Sequence, residues 1–117
     1  MYRITKSWTF SAAHHLPNLP EGHQCRRVHG HNYRVTLGLE SEALNAYGMV
    51  VDYGDLGPFA AAIHGRLDHR SLNDVLAVPT AEAMAEWLYE QARAWWPSLV
   101  VDVTVQETDG TSAMYRP

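Results

Sequence analysis

The sequence predicts an α+β fold, with helices packed on one face of an antiparallel sheet. Three observations predict it: period-two alternation near both ends of the chain, two stretches of helical spacing between them, and clusters of Gly, Pro, Asn and Asp at the junctions. Together they give the order β-β-α-α-β-β. With 117 residues and no break in composition, the chain is expected to form one domain spanning 1–117. Hydrophobic residues make up 46% and charged residues 19%, a balance that supports folding around a buried core.

From Tyr2 to Phe10 the even positions read Tyr, Ile, Lys, Trp, Phe, a half-buried strand interrupted only at Lys6, and His14 continues that parity if the strand persists. The segment LPNLPEGHQ, residues 16–24, holds two Pro, a Gly and an Asn and reads as loop. From His31 to Glu40 the odd positions carry His, Tyr, Val, Leu, Leu, a second strand. The two strands are expected to form a long hairpin whose loop carries Cys25. Asp55 is expected to cap a first helix with Pro58 in its first turn, where a missing N–H is tolerated, followed by Leu56, Phe59, Ile63 and Leu67 at helical spacing. The segment LDHRSLND, residues 67–74, reads as an irregular exit. A second helix starts at Thr80 after Pro79, places Met84, Trp87, Leu88, Gln91 and Trp95 along one side, and stops before Pro97. A third strand runs from Leu99 to Glu107, with Val101, Val103, Val105 and Glu107 on one face, so Glu107 ends an apolar row. The turn Thr108-Asp-Gly-Thr111 then leads into a short strand from Ser112 to Tyr115.

Composition excludes several classes of function. A formal charge of −4 argues against non-specific nucleic-acid binding, which needs a broad field of Lys and Arg. No window approaches the ~18 apolar residues of a membrane-spanning segment. One cysteine forms no internal disulfide, and MYRITKSWTF lacks the basic start and apolar run of a signal peptide, so a reducing cytoplasm is the expected location. A small anionic ligand remains compatible with the charge, because Arg26, Arg27, Arg66 and Arg70 flank the two His-rich stretches.

The candidate chemistry lies in those stretches. In a strand, side chains two apart point the same way, so His29 and His31 of the segment HQCRRVHGH direct two imidazoles at one point. A catalytic zinc ion takes three protein ligands and leaves a fourth position to water or substrate. His14 or His15 can supply the third ligand, and strand parity favours His14, which shares a face with Trp8 and Phe10. The competing reading is three buried, hydrogen-bonded histidines. Cys25 is either a small buried hydrophobe, a reactive thiol beside Arg26 and Arg27, or a fourth ligand that closes the metal site. Asp68 and His69 supply a carboxylate next to an imidazole, suited to proton transfer if both turn into a pocket and otherwise a piece of surface loop.

Phe10-Ser-Ala-Ala-His14, Glu21-Gly-His-Gln-Cys25 with His29-Gly-His31, Met49-Val-Val-Asp-Tyr53, Leu67-Asp-His69 with Leu72-Asn-Asp74, Pro79-Thr-Ala-Glu82, and Gln106-Glu-Thr108 with Tyr115-Arg116 occur in that order over almost the whole chain. This set resembles the 6-pyruvoyl tetrahydropterin synthase and 6-carboxytetrahydropterin synthase family, and the compact length looks like the bacterial 6-carboxy branch on the route to queuosine. The resemblance implies the tunnelling fold, a four-stranded antiparallel sheet with two helices on one face. It also implies a homohexamer built as a dimer of trimers, with active sites between subunits.

By the same resemblance, His14, His29 and His31 would bind Zn2+, Cys25 would take a proton from substrate, and Asp68 with His69 would relay protons. Glu107 would anchor the pterin ring and Thr80 would contact it. The implied reaction converts 7,8-dihydroneopterin triphosphate to 6-carboxy-5,6,7,8-tetrahydropterin with release of acetaldehyde and triphosphate. The near alternative is 6-pyruvoyl-tetrahydropterin synthesis, in which only triphosphate is eliminated. A zinc hydrolase would need the histidines without Cys25, and a non-catalytic zinc or pterin-binding protein would use Cys25 as a structural ligand. The segment Asp109-Gly-Thr-Ser-Ala departs from bacterial relatives that often carry cysteines there, and leaves Cys25 as the sole thiol.

Overall fold

The computed structural model describes residues 1–117. Its elements are β1 (Tyr2–His14), β2 (His29–Ser41), α1 (Gly57–Arg66), α2 (Ala81–Trp95), β3 (Val100–Gln106) and β4 (Ala113–Tyr115), with single 3-10 turns at Gln24–Arg26, Tyr53–Leu56 and Leu72–Asp74. The strands form one sheet in the order β1-β2-β3-β4, each neighbour antiparallel, and both helices pack on one of its faces. This is the expected order and topology. No helix is long and apolar enough to cross a membrane.

Alternation explains the strands. β1 buries Phe10, Ala12 and His14, while β2 buries Tyr33, Val35, Leu37 and Leu39. Val103 and Val105 of β3 complete the sheet's share of the core. Facing them, Leu56, Phe59, Ile63 and Leu67 around α1 and Met84, Leu88 and Ala92 of α2 are all fully buried. Trp8 meets Phe59 edge-on at 5.2 Å, joining β1 to α1. The opposite face of the sheet is polar, with hydroxyl and amide pairs at Ser7–Thr36 (2.7 Å) and Ser11–Asn32 (2.6 Å).

Four expectations are corrected. β1 extends four residues beyond Phe10, to His14, because β2 begins at His29 and supplies a partner for each of them. Asp55 does not cap α1; Asp52 instead accepts the Gly54 N–H at 2.8 Å and caps the 3-10 turn that leads into it. The buried face of α2 carries Met84, Ala85, Leu88, Tyr89 and Ala92, while Trp95 at its end is 59% exposed and the following Trp96 packs on the core instead. Val101 is only half-buried: Gly38 pairs with Asp102 and Leu39 with Val100, so Val101 is the extra residue of a bulge.

Asp102 keeps to the polar face of the sheet, where it is 2% exposed and accepts from Arg3 Nη2 at 2.8 Å. Arg3 also donates to Glu40, its register partner, at 2.9 Å. The guanidinium reaches Asp102 by crossing Gly38, where any Cβ would overlap both charged groups. Gly38→Ala is therefore expected to destabilise the fold by about 1–3 kcal/mol through overpacking, read as a lower urea midpoint with an unchanged m-value.

Candidate metal centre and active site

The register of β1 and β2 puts His14 opposite His29, and His31 follows on the same side of β2. Three imidazoles therefore converge from two strands, with ring centroids 4.6, 4.9 and 5.2 Å apart. Two backbone carbonyls steer them. His14 Nδ1–H donates to the Pro79 carbonyl at 2.8 Å, and His29 Nδ1–H donates to the Arg27 carbonyl at 2.7 Å. Both rings then present an Nε2 lone pair, and these two nitrogens lie 3.0 Å apart. Facing lone pairs repel, and a cation held between them converts that repulsion into binding.

His31 Nε2 is buried and makes no hydrogen bond, although Glu107 Oε1 sits 2.9 Å away. The same oxygen lies 4.0 Å from His14 Nε2. Burial holds the His31 pKa below its ordinary value; the Glu107 charge opposes this and the neighbouring His14 and His29 add to it. A neutral ring is the form that binds metal. The ligand atoms of His14, His29, His31 and Glu107 lie within 4.8 Å of one another. Three neutral imidazoles and one carboxylate fit a divalent transition metal, by donor type and by charge.

Beneath this cluster lies Tyr33, fully buried, stacked on Phe10 at 5.0 Å and edge-on to His14 and His31 at 6.0 and 5.6 Å. Its hydroxyl has no partner, and burial, with the Glu107 charge adding, pushes its pKa upward. Sequence reasoning missed Tyr33, although it stands two residues after His31 and shares its parity. The Pro79 and Arg27 carbonyls were also missed, because a backbone oxygen has no sequence signature.

Cys25 sits in the 3-10 turn Gln24–Arg26, partly exposed. His23 Nδ1 accepts the Cys25 N–H at 3.1 Å, and the Cys25 carbonyl accepts the Leu16 N–H at 2.8 Å, so the turn is tied at both sides. Arg26 is spent on the Leu19 carbonyl at 3.3 Å. The thiol lines a pocket of about 410 Å³ with Gln24, His29, His31 and Glu107, but is not one of the converging metal-ligand atoms.

Asp68 and His69 lie on the exit from α1, in side-chain contact at 2.9 Å. The exit runs along β1: the Ser11 N–H donates to Asp68 Oδ1 (3.0 Å), the His69 N–H to the Ser11 carbonyl (2.6 Å), and the Ala13 N–H to the Arg70 carbonyl (3.0 Å). His69 is held at φ +57°, an uncommon conformation for a non-glycine residue. The Ser11 N–H holds the Asp68 pKa below the usual carboxylate range, against partial burial, and His69 and His64 lower it further. His69 lines a second pocket, of about 490 Å³, that shares only His31 with the Cys25 pocket. One chain therefore does not bring Cys25 and His69 together. Thr80 is the N-cap of α2, its hydroxyl accepting the Ala83 N–H at 3.1 Å. Next to it, Ala81, Glu82, Glu107, Thr111, Ser112 and Ala113 enclose a small cleft of about 150 Å³.

The family model described as 6-pyruvoyl tetrahydropterin synthase matches residues 3–117. The chain belongs to this family. It is 36% identical over 122 residues to the 6-carboxy-5,6,7,8-tetrahydropterin synthase of Synechocystis sp. (strain ATCC 27184 / PCC 6803 / Kazusa), covering 98% of this chain and 93% of the relative. It is 32% identical over 129 residues to the enzyme of the same name from Bacillus subtilis (strain 168), covering 99% and 86%. Among solved structures, the Caenorhabditis elegans 6-pyruvoyl tetrahydropterin synthase superposes with a TM-score of 0.88 at 27% identity, covering 99% of this chain and 95% of that one. The tunnelling fold and the four-stranded topology thus agree, and the chain is a pterin lyase of this family with His14, His29, His31 and Glu107 as its candidate metal site.

Because both strands of the hairpin feed the cluster, His29→Ala is expected to abolish bound metal, measured by elemental analysis of purified protein. Glu107→Gln, which leaves all three rings in place, is expected to keep it. Loss of metal in the Glu107 variant would make that carboxylate an obligatory ligand.

Proposed function

We propose that the protein is a zinc-dependent 6-carboxy-5,6,7,8-tetrahydropterin synthase acting on 7,8-dihydroneopterin triphosphate, in the route to queuosine and other deazaguanines. The observation that carries this reading is the open three-histidine cluster with Cys25 in the same pocket but outside the ligand set. A structural zinc protein would place the thiol on the metal, and a zinc hydrolase would have no use for it. The names of the Synechocystis and Bacillus relatives support the 6-carboxy product over the 6-pyruvoyl one.

On this reading His14, His29 and His31 hold the zinc ion, whose contribution when bound is to acidify and orient adjacent hydroxyls of the substrate side chain. Cys25 accepts a proton from that side chain, and His69, oriented by Asp68, carries protons between the side chain and solvent. Hydrogen shifts to the ring, triphosphate leaves, and in the 6-carboxy branch one water adds to the side-chain carbonyl next to the ring as the carbon–carbon bond breaks, giving the carboxylate and acetaldehyde. Glu107 anchors the ring: its carboxylate borders both the Cys25 pocket and the cleft at the start of α2, and accepts two parallel hydrogen bonds from the pterin amino group and N3–H. Thr80 acts through the shape of that cleft, since its hydroxyl is engaged as a cap.

The separation of Cys25 from His69 supports sites shared between subunits of a homohexamer, a dimer of trimers. Both sheet edges are available for such assembly, since the exit loop covers β1 only near Ser11–Ala13 and β4 has three residues.

Incubation of metal-loaded protein with 7,8-dihydroneopterin triphosphate is expected to release 6-carboxytetrahydropterin and acetaldehyde, identified by mass; 6-pyruvoyl product would select the alternative. Cys25→Ala is expected to lower turnover by about 10²-fold or more while retaining metal. If sites are shared, inactive Cys25→Ala and His69→Ala chains, unfolded together and reassembled in equal amounts, should recover about a quarter of native sites by random assortment. No recovery would place both residues in one chain's site.

A further inference from the structure

The pocket beside His69 holds a feature that the reaction described above does not use. Most of the basic side chains are engaged: Arg3 with Glu40 and Asp102, Lys6 over the Trp8 ring, Arg26 on a carbonyl, Arg66 over the Trp87 ring at 4.8 Å, and Arg93 with Glu90. Arg27, Arg34, Arg70 and Arg116 make no ion pair or hydrogen bond through their side chains, and of these only Arg70 lines a cavity.

That cavity, of about 490 Å³, has no Asp or Glu in its lining, on a chain with a net charge of −4. Its floor is the outward row of the hairpin, where Ala13 pairs with Gly30 and Ser11 with Asn32, so no bulky side chain fills it. Asp68 adjoins it through His69, and Glu107 through His31. Asp68 Oδ1 accepts from the Ser11 N–H and from His69 Nδ1, and Asp68 borders a neighbouring cleft with Thr9 and Phe10. With Nδ1 so engaged, His69 Nε2 remains without a hydrogen-bond partner on a largely exposed side chain. Ser11 Oγ donates to Asn32 Oδ1, which leaves both Asn32 amide hydrogens free. The Arg70 backbone is fixed, its carbonyl accepting the Ala13 N–H and its own N–H donating to the Leu67 carbonyl at 3.3 Å. The unpaired guanidinium thus hangs from an anchored loop over an acid-free floor that carries free N–H donors. A planar set of N–H donors is the match for phosphate oxygens.

We propose that this pocket seats the phosphate chain of the substrate, with Arg70 as its principal cation and Asn32 as a second donor. The assignment deepens the proposed pterin reaction, since it places the leaving group against a fixed positive charge next to the relay residue. The pocket touches the metal centre only through His31.

The test compares metal-loaded wild type with Arg70→Ala and Arg70→Lys by calorimetric titration of inorganic tripolyphosphate and, separately, of neopterin, which carries the ring without phosphates. Metal content and melting temperature are checked before and after. Arg70→Ala is expected to weaken tripolyphosphate about tenfold or more, Arg70→Lys to regain part of that loss, and neopterin affinity to stay unchanged in both. Equal tripolyphosphate affinity in wild type and Arg70→Ala overturns the proposal, as does a wild type that binds no tripolyphosphate. Tripolyphosphate bound through Arg70 by a protein that neither binds neopterin nor turns over dihydroneopterin triphosphate would uphold the anion pocket and overturn the pterin reading.

Discussion

The candidate metal centre rests on a single register, His14 of β1 against His29 of β2. A slip of one residue would send His14 and its whole row to the polar face of the sheet, because side chains alternate with a period of two. The register is pinned near the open end and in the middle. Arg3 and Glu40 are opposed and ion-paired at 2.9 Å near the open end. Trp8 stands opposite Val35, and Phe10 stacks on Tyr33 with its ring nearly parallel, 9° off. An exposed ion pair adds little by itself. The buried stack gives the register its energy, since a slip would expose both rings.

The helical layer acts on the site through one carbonyl. Thr80 caps α2 and so fixes where that helix begins, and the residue before it, Pro79, offers its carbonyl to His14. Packing of α2 against β3 and β4 therefore sets the tautomer of a candidate metal ligand on β1, across the sheet. On the other side of β1, three backbone or carboxylate hydrogen bonds near Ser11 hold the exit loop and compel His69 into its positive φ. Strain at that residue persists because the bonds around it leave no alternative.

Much of this was legible in the sequence, and what was not has a common cause. The element order, the hairpin with Cys25 in its loop and the convergence of His14, His29 and His31 follow from parity, which a sequence displays. The choice of His14 over His15 rested on the row containing Trp8 and Phe10; in the structure the His15 backbone is instead bonded to the Asn73 side chain, at 2.9 Å in each direction. The bulge at Val101 was invisible because it depends on Gly38 and the Arg3–Asp102 pair across the sheet. Glu107 read as the end of an apolar row, and nothing local announced that the row points at His31. His23 caps the Cys25 turn as an acceptor, and the Arg27 carbonyl orients His29, both local contacts that the sequence pattern does not display. The other misses are contacts between distant segments, and their signal is spread over residues that look ordinary one at a time.

Why the thiol is near the metal but off it follows from the same geometry. Cys25 lies on a turn tied to His23 and to Leu16, so it cannot drift freely toward the cluster. A thiolate that reached the ion would complete a closed tetrahedral shell and leave no position for substrate. Glu107, by contrast, is 28% exposed at the mouth and borders two cavities, so it can meet either an ion or a ligand. Asp68 and His69 touch yet have distinct environments: Asp68 is bound by a backbone N–H, while the His69 side chain is 83% exposed. If Cys25 is the base and His69 the relay, as proposed, the two are joined only past His31, and the substrate itself would be the bridge between them. On that proposal a single chain leaves the bridge with one abutment in each pocket, and the open edges of the sheet are where a second copy would bring the two together.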